Sequence, residues 1–242
     1  MKDLSMCAVQ SPDKKIPSLA LLHSIPMFAG VPDAQLAPIL RMAAYRKVPR
    51  NTTIVRAGDS TDSLYVIISG NARVLNSDAE GREVILTLLG PGEFFGEMGL
   101  IDGSPRSADV VTSEPCELLV IAKLEFKQGL ADNFDLCLNI MKSLVQRLRE
   151  ADRKIESLAL MDVYGRVAKL LLEFSVEEGS LRVIRKRLTK QDIAKMIGAS
   201  REMVSRVMRD LTVQGLIHEQ DGQLILVDLA AFKRHSDGAA AG

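Results

Sequence analysis

The alternation of apolar and polar positions divides the chain into four textures. Residues 1–17 are polar and broken by Pro12 and Pro17, the pattern of a flexible arm. Two short helical patterns follow, LALLHSI at 19–25 and DAQLAPILRMA at 33–43, with Asp33 expected as the N-cap of the second. From about Tyr45 to Ile121 the period shortens. The runs TTIVRA, SLYVIISG, ARVL, EVILTLL, ADVVT and CELLVIA alternate with turn signals at Gly58-Asp59, Gly70-Asn71, Glu80-Gly81, Pro91-Gly92 and Asp102-Gly103. Short, closely spaced strands with glycine turns predict a sandwich or barrel-like roll.

From Phe126 to about Asp162 the composition is helical, with no proline and a last glycine at Gly129. Cys137, Met141, Leu144, Leu148, Ala151, Ile155 and Leu158 fall at steps of 4, 3, 4, 3, 4 and 3. That is a heptad seam flanked by charge. A helix of ~40 Å is too long for one roll to cover from end to end. A two-stranded homodimer seam therefore fits better than packing on the chain's own roll, with Met141, Leu144, Leu148, Ala151, Ile155 and Leu158 at the interface. Three further helical patterns occupy 163–232, and GLIHEQDGQLILV predicts a hairpin turning at Asp221-Gly222.

The 242 residues suit one large domain or two modest ones, and suffice for a core without staples. The expected division is an arm at 1–17, a β-roll domain at 18–132, a dimerisation helix at 133–161, a winged helix-turn-helix domain at 162–235 and a loose tail at 236–242. The fold class is α+β, with a jelly-roll-like N-terminal domain. Apolar residues at 47% and charged residues at 26% are the balance of a globular protein. Cys7, Cys116 and Cys137 are too dispersed for a disulfide framework or an iron–sulfur cluster. His23, His218 and His235 are equally scattered, so no metal is expected. No apolar run approaches the ~20 residues of a membrane span, and no export signal is visible, so a reduced cytoplasm is the expected setting and no membrane partner is foreseen.

Thirty-one Lys and Arg cancel thirty-one Asp and Glu overall, but not locally. In Leu181–Asp210, nine cations (Arg182, Arg185, Lys186, Arg187, Lys190, Lys195, Arg201, Arg206, Arg209) face three acids (Asp192, Glu202, Asp210), a surplus of six. Such asymmetry in a neutral chain points to a polyanion at one end. Within TKQDIAKMIGASREMVSRVMRDL, Thr189 can cap a helix carrying Ile193, Met196 and Ile197. Ala194 is small where a second helix must cross, and Gly198 permits a tight turn. Ser200 caps the second helix, where Val204, Val207, Met208 and Leu211 form one apolar stripe. Glu202, Ser205, Arg206 and Arg209 face the other way, with Arg201 on the first turn. This is a helix-turn-helix presenting a basic face to a DNA major groove, where Arg suits guanine and Glu a cytosine amino group.

A second constellation is FFGEMGLIDGSPRSADV at 94–110. Gly96 and Gly99, flanking Glu97 and Met98, are expected to turn backbone N–H groups toward an anion. Glu97 can accept ribose hydroxyls, and Arg106 beside Ser107 can grip a phosphate with two prongs.

With the β-roll, this cassette, the long helix, the segment LMDVYGRVAKLLL and the helix-turn-helix together, the chain resembles the CRP/FNR family of bacterial transcription regulators from about Pro17 to Val227. The resemblance implies that Glu97 serves the ribose and Arg106 with Ser107 the phosphate of a cyclic nucleotide. It implies base reading of a TGTGA-like inverted repeat by Arg201, Glu202 and Arg206, and phosphate contacts by Thr189 and Lys190. RNA polymerase is a further implied partner. The FNR branch's N-terminal cysteine group is missing, since only Cys7 lies in the arm. Where cAMP-responsive members place Thr and Ser on the dimer helix, this chain has Ala151 and Asp152. A carboxylate accepts from guanine N1–H and N2–H₂, whereas adenine offers an acceptor at N1. The effector is therefore cyclic di-GMP or cAMP, with cGMP possible.

The ligand would shift the population of dimer geometries and so set two recognition helices ~34 Å apart. A metal-dependent cupin is excluded because no histidine lies between His23 and His218. A nucleotide-gated module acting on a non-DNA partner would lack the 189–211 pattern. A ligand-independent regulator with a vestigial cassette stays open.

Overall fold

The computed structural model describes residues 18–179, 181–185, 188–220, 223–227 and 232. The expected arm with Cys7, the tail, His235, the cations Lys186 and Arg187, and the Asp221-Gly222 turn lie outside the described residues. By contact density the chain divides into two compact units. Residues up to 73 with 88–143 form the first, and 74–87 with 144–242 form the second.

The first unit opens with α1 (Leu19–His23), capped by the Ser18 hydroxyl accepting from Leu21 N–H at 3.2 Å. A 3₁₀ turn, Pro26–Phe28, leads to α2 (Asp33–Met42). Asp33 is not the N-cap: Pro32 holds that position in extended backbone, and Asp33 is the first helical residue. Its carboxylate lies 2.6 Å from His23 Nε2 instead.

The roll consists of β1 (Ala44–Val48), β2 (Thr53–Val55), β3 (Ser63–Ser69), β4 (Ala72–Ser77), β5 (Glu83–Leu89), β6 (Phe94–Phe95), β7 (Asp109–Thr112) and β8 (Cys116–Ala122). They form two four-stranded sheets in the orders β1-β8-β3-β6 and β2-β7-β4-β5. β3 is central to its sheet and reads as a continuous apolar run, with Leu64, Tyr65, Val66 and Ile67 all buried. Leu22, Phe28 and Leu36 from the N-terminal helical segments join Leu118 and Leu119 among the most buried side chains. Burying one such side chain contributes about 1.5–3 kcal/mol.

The helical stretch after the roll is not continuous. α3 (Met98–Asp102) lies within the glycine-rich loop; α4 (Lys123–Asp132) and α5 (Phe134–Leu160) are separated at Asn133. The extended backbone of Asn133 ends α4, and its buried side chain caps α5, its Oδ1 accepting the Leu136 N–H at 2.8 Å.

The second unit contains α6 (Val163–Phe174), β9 (Val176–Glu178), β10 (Leu181–Ile184), α7 (Lys190–Ile197), α8 (Arg201–Val213), β11 (Ile217–Gln220) and β12 (Gln223–Leu226). Asp162 caps α6 by accepting from Gly165 N–H at 2.8 Å. β11 and β12 pair antiparallel, with Gln220 opposite Gln223. β9 and β10, which the sequence pattern did not suggest, complete the sheet β11-β12-β10-β9. Val167, Leu171, Ile193, Val204, Leu211 and Phe232 form the core of this winged helix-turn-helix.

Candidate functional site

In the first unit the cassette is built on a loop, a short helix and a second loop. β6 runs into Gly96, whose φ is +87°; a Cβ there would sit 2.2 Å from Arg106 Nη1. A side chain at 96 would thus meet both a left-handed backbone and the guanidinium. Glu97 is 1% exposed and Met98 lies outside. Gly99 sits in the first turn of α3 rather than in an open loop. Its missing Cβ leaves room for Thr61 Oγ1 and Ser104 O, which would lie 2.4 and 2.2 Å from one.

Arg106 is 6% exposed, which for a guanidinium demands partners. Nη1 donates to Gly96 O at 3.0 Å; Nη2 donates to Ser63 O at 2.8 Å and to Asp62 Oδ1 at 3.3 Å. The guanidinium carbon lies 5.6 Å from the Tyr65 ring centroid, and Tyr65 stacks on Phe95 at 5.0 Å. Ser107 is exposed, its hydroxyl 3.9 Å from Met98 Sδ. The backbone thus gathers Gly96, Met98, Arg106 and Ser107 into one place, with Glu97 beside them in sequence. Ala151 and Asp152 are exposed on α5, in the second unit.

In the second unit, Thr189 and Asp192 form a reciprocal capping box at the start of α7. The Thr189 hydroxyl accepts from Asp192 N–H at 3.0 Å, and the Asp192 carboxylate accepts from Thr189 N–H at 3.3 Å. α7 stops at Gly198 in the left-handed region (φ +63°), and Ser200 caps α8 by accepting from Met203 N–H at 3.2 Å. A Cβ on Gly198 would lie 3.5 Å from Leu158 Cδ2 at the end of α5. Ala194 is buried at the helix crossing. Val204, Val207 and Leu211 are buried, and Met208 partly so. Arg201, Glu202, Arg206 and Arg209 are exposed and Ser205 is half-buried; Thr189 and Lys190 are also exposed. Backbone N–H donation at the helix start, together with the Ser200 hydroxyl, holds the Glu202 carboxyl below its ordinary pKa.

Three cations of the basic segment have acidic partners that the sequence did not suggest. Arg182 lies 3.5 Å from Glu177 and Arg185 2.5 Å from Glu178, both acids on β9. Lys195 pairs with Glu83 at the start of β5, a strand segment belonging to the same unit. The hairpin bearing Glu83 is tightened by Asp78, whose carboxylate accepts from Glu80 and Arg82 N–H at 3.0 and 2.8 Å.

Along α5 the heptad positions Met141, Leu148, Ile155 and Leu158 are 49%, 63%, 65% and 54% exposed, and Ala151 is exposed with them; Leu144 is half-buried. One chain does not cover its own seam. Among the described residues no group of three His, Cys, Asp or Glu could hold a metal ion, and no helix is long and apolar enough to cross a membrane.

These features define a class: a nucleotide-binding β-roll followed by a winged helix-turn-helix. Comparison with known proteins agrees. The cyclic nucleotide-binding domain matches residues 45–133, and the Crp-like helix-turn-helix domain matches residues 165–235. The cAMP-activated global transcriptional regulator CRP of Haemophilus influenzae is 37% identical over 75% of this chain and 82% of its own length. The cAMP-activated regulator Vfr of Pseudomonas aeruginosa is 35% identical over 75% of this chain and 88% of its own length. The structure of the c-di-GMP responsive global regulator CLP of Xanthomonas campestris matches with a TM-score of 0.70 and 30% identity, covering 81% of this chain and 100% of that one. The chain belongs to the CRP/FNR family of DNA-binding transcription regulators.

Proposed function

We propose that the protein is a homodimeric transcription regulator whose affinity for an inverted-repeat DNA site is set by a cyclic nucleotide held at Gly96, Glu97, Met98, Gly99, Arg106 and Ser107. The observation that carries this is Arg106: a guanidinium almost wholly buried beside Gly96, next in sequence to an exposed hydroxyl. A buried fixed cation in a turn lacking side-chain bulk suits a phosphodiester. Cyclic di-GMP is the preferred effector, because Asp152 offers an acceptor to guanine and Ala151 offers no hydroxyl to adenine. Relatives named as cAMP-activated and as c-di-GMP responsive keep cAMP as the competitor.

The recognition helix is α8. Arg201, Glu202 and Arg206 would read a TGTGA-like half-site, with Ser205 and Arg209 beside them, while Thr189, Lys190 and Ser200 would contact phosphates. The exposed seam of α5 supports pairing with a second copy, and residues 18–132, 133–161 and 162–235 would act as sensor, dimer rod and DNA reader. Ligand favouring one dimer geometry would change DNA affinity by the ~1–3 kcal/mol usual for such coupling. Contact with RNA polymerase in the cytoplasm would complete the output.

A ligand-independent regulator is the alternative, favoured by the three Arg106 donors already spent inside the protein. Calorimetry with cAMP, cGMP and cyclic di-GMP, followed by fluorescence anisotropy on an inverted-repeat duplex, separates the two. Heat on one nucleotide and a matching shift in DNA affinity are expected; silence with all three favours the alternative.

A further inference from the structure

Arginine carries five N–H donors on a planar fork. Arg106 commits three of them: one on Nη1 to Gly96 O, and both on Nη2 to Ser63 O and Asp62 Oδ1. The two remaining, on Nε and on Nη1, do not share an edge of the fork, because the neighbour of the Nε–H is an Nη2 hydrogen. Neither two-pronged edge is therefore open, and a bidentate phosphate contact requires one internal partner to leave.

The three partners are unequal. Gly96 O and Ser63 O belong to the main chain, the first fixed by a positive-φ glycine and the second part of β3. Asp62 is a side chain that is 78% exposed and makes the longest of the three bonds. It can swing into water at the cost of one weak, screened ion pair. Its negative charge already occupies the cation that a ligand's phosphate would claim.

We infer that Asp62 is an internal competitor of the ligand phosphate, holding Arg106 in the empty protein and being displaced on binding, so that it sets the affinity of the cassette. This rests on the phosphate-binding role of Arg106 proposed above. The competition concerns charge, so it weakens a phosphodiester ligand of either kind and fades as salt screens the pair.

The test is calorimetry of the protein with cAMP and cyclic di-GMP, comparing wild type, Asp62→Asn and Asp62→Glu at low and high salt. Asp62→Asn is expected to bind roughly two- to fivefold more tightly than wild type, as loss of an exposed ion pair allows. The gain should shrink at high salt, and Asp62→Glu should behave as wild type. Unchanged or weaker binding by Asp62→Asn, in a protein whose wild type binds and whose Arg106→Lys variant does not, overturns the competition and leaves the phosphate role standing. No binding by wild type or Asp62→Asn overturns both.

Discussion

Arg106 carries two duties at the scale of one residue. It is the proposed phosphate ligand, and it also joins β3 to the cassette loop through Ser63 O and Gly96 O. Removing it leaves two half-buried carbonyls without donors. Arg106→Ala should therefore lose the nucleotide response and also about 3 kcal/mol of stability, measurable by urea unfolding. Arg106→Lys, which keeps the charge but not the fork, should recover part of the stability without the response. On the DNA side, Arg206→Ala should cost ~1–3 kcal/mol on the preferred duplex and relax the choice at one base pair. Equal weakening on all sequences, read by anisotropy, would sink its base-reading role. That Gly96, Arg106 and Ser107 come together was legible because they lie within a dozen residues of one another. Asp62 was not, because its contact with Arg106 spans 44 positions. The close packing of Gly99 against Thr61 and Ser104 was not legible either, because both partners are brought in by the fold.

Elements whose ends are marked by local chemistry could be read from the sequence. Thr189, Gly198 and Ser200 frame α7 and α8 as expected, since caps and left-handed stops act over three or four residues. Thr189→Ala should cost about 1 kcal/mol of stability, followed by thermal unfolding monitored by circular dichroism. The expected division starts the long helix at 133, but the pattern reads as helical from Phe126, because no proline or glycine marks the break; it depends on a side chain buried by the fold. β9 and β10 escaped because they are short and overlap a segment dominated by charge. Glu202 gives the pH dependence of α8. Its pKa is lowered in the folded helix, so its stabilising contribution is complete above the ordinary carboxylate value of ~4.3 and is lost as pH falls through the lower folded value. The ratio of DNA affinities between wild type and Glu202→Gln should stay flat from about pH 6 to 8. A slope there, measured by anisotropy, would contradict an ionised Glu202.

At the scale of the whole molecule, the proposed dimer rests on a seam that one chain leaves exposed. Leu148 is 63% exposed in the protomer, so Leu148→Asp should leave each chain folded while preventing the pair from forming. Sedimentation should show a monomer, and affinity for an inverted repeat should fall about a hundredfold as the second half-site stops helping. A dimeric Leu148→Asp variant would place the two-fold contact elsewhere. The seam's last position, Leu158, also lies beside Gly198, within reach of any Cβ added there. One methyl group thus stands at the end of the apolar seam of α5 and beside the turn between α7 and α8. At 3.5 Å an added Cβ would touch Leu158 without displacing it, so what opposes a side chain at 198 is the left-handed backbone. In the proposed dimer, a substitution at Leu158 would touch both the pairing of two copies and the turn that leads into α8.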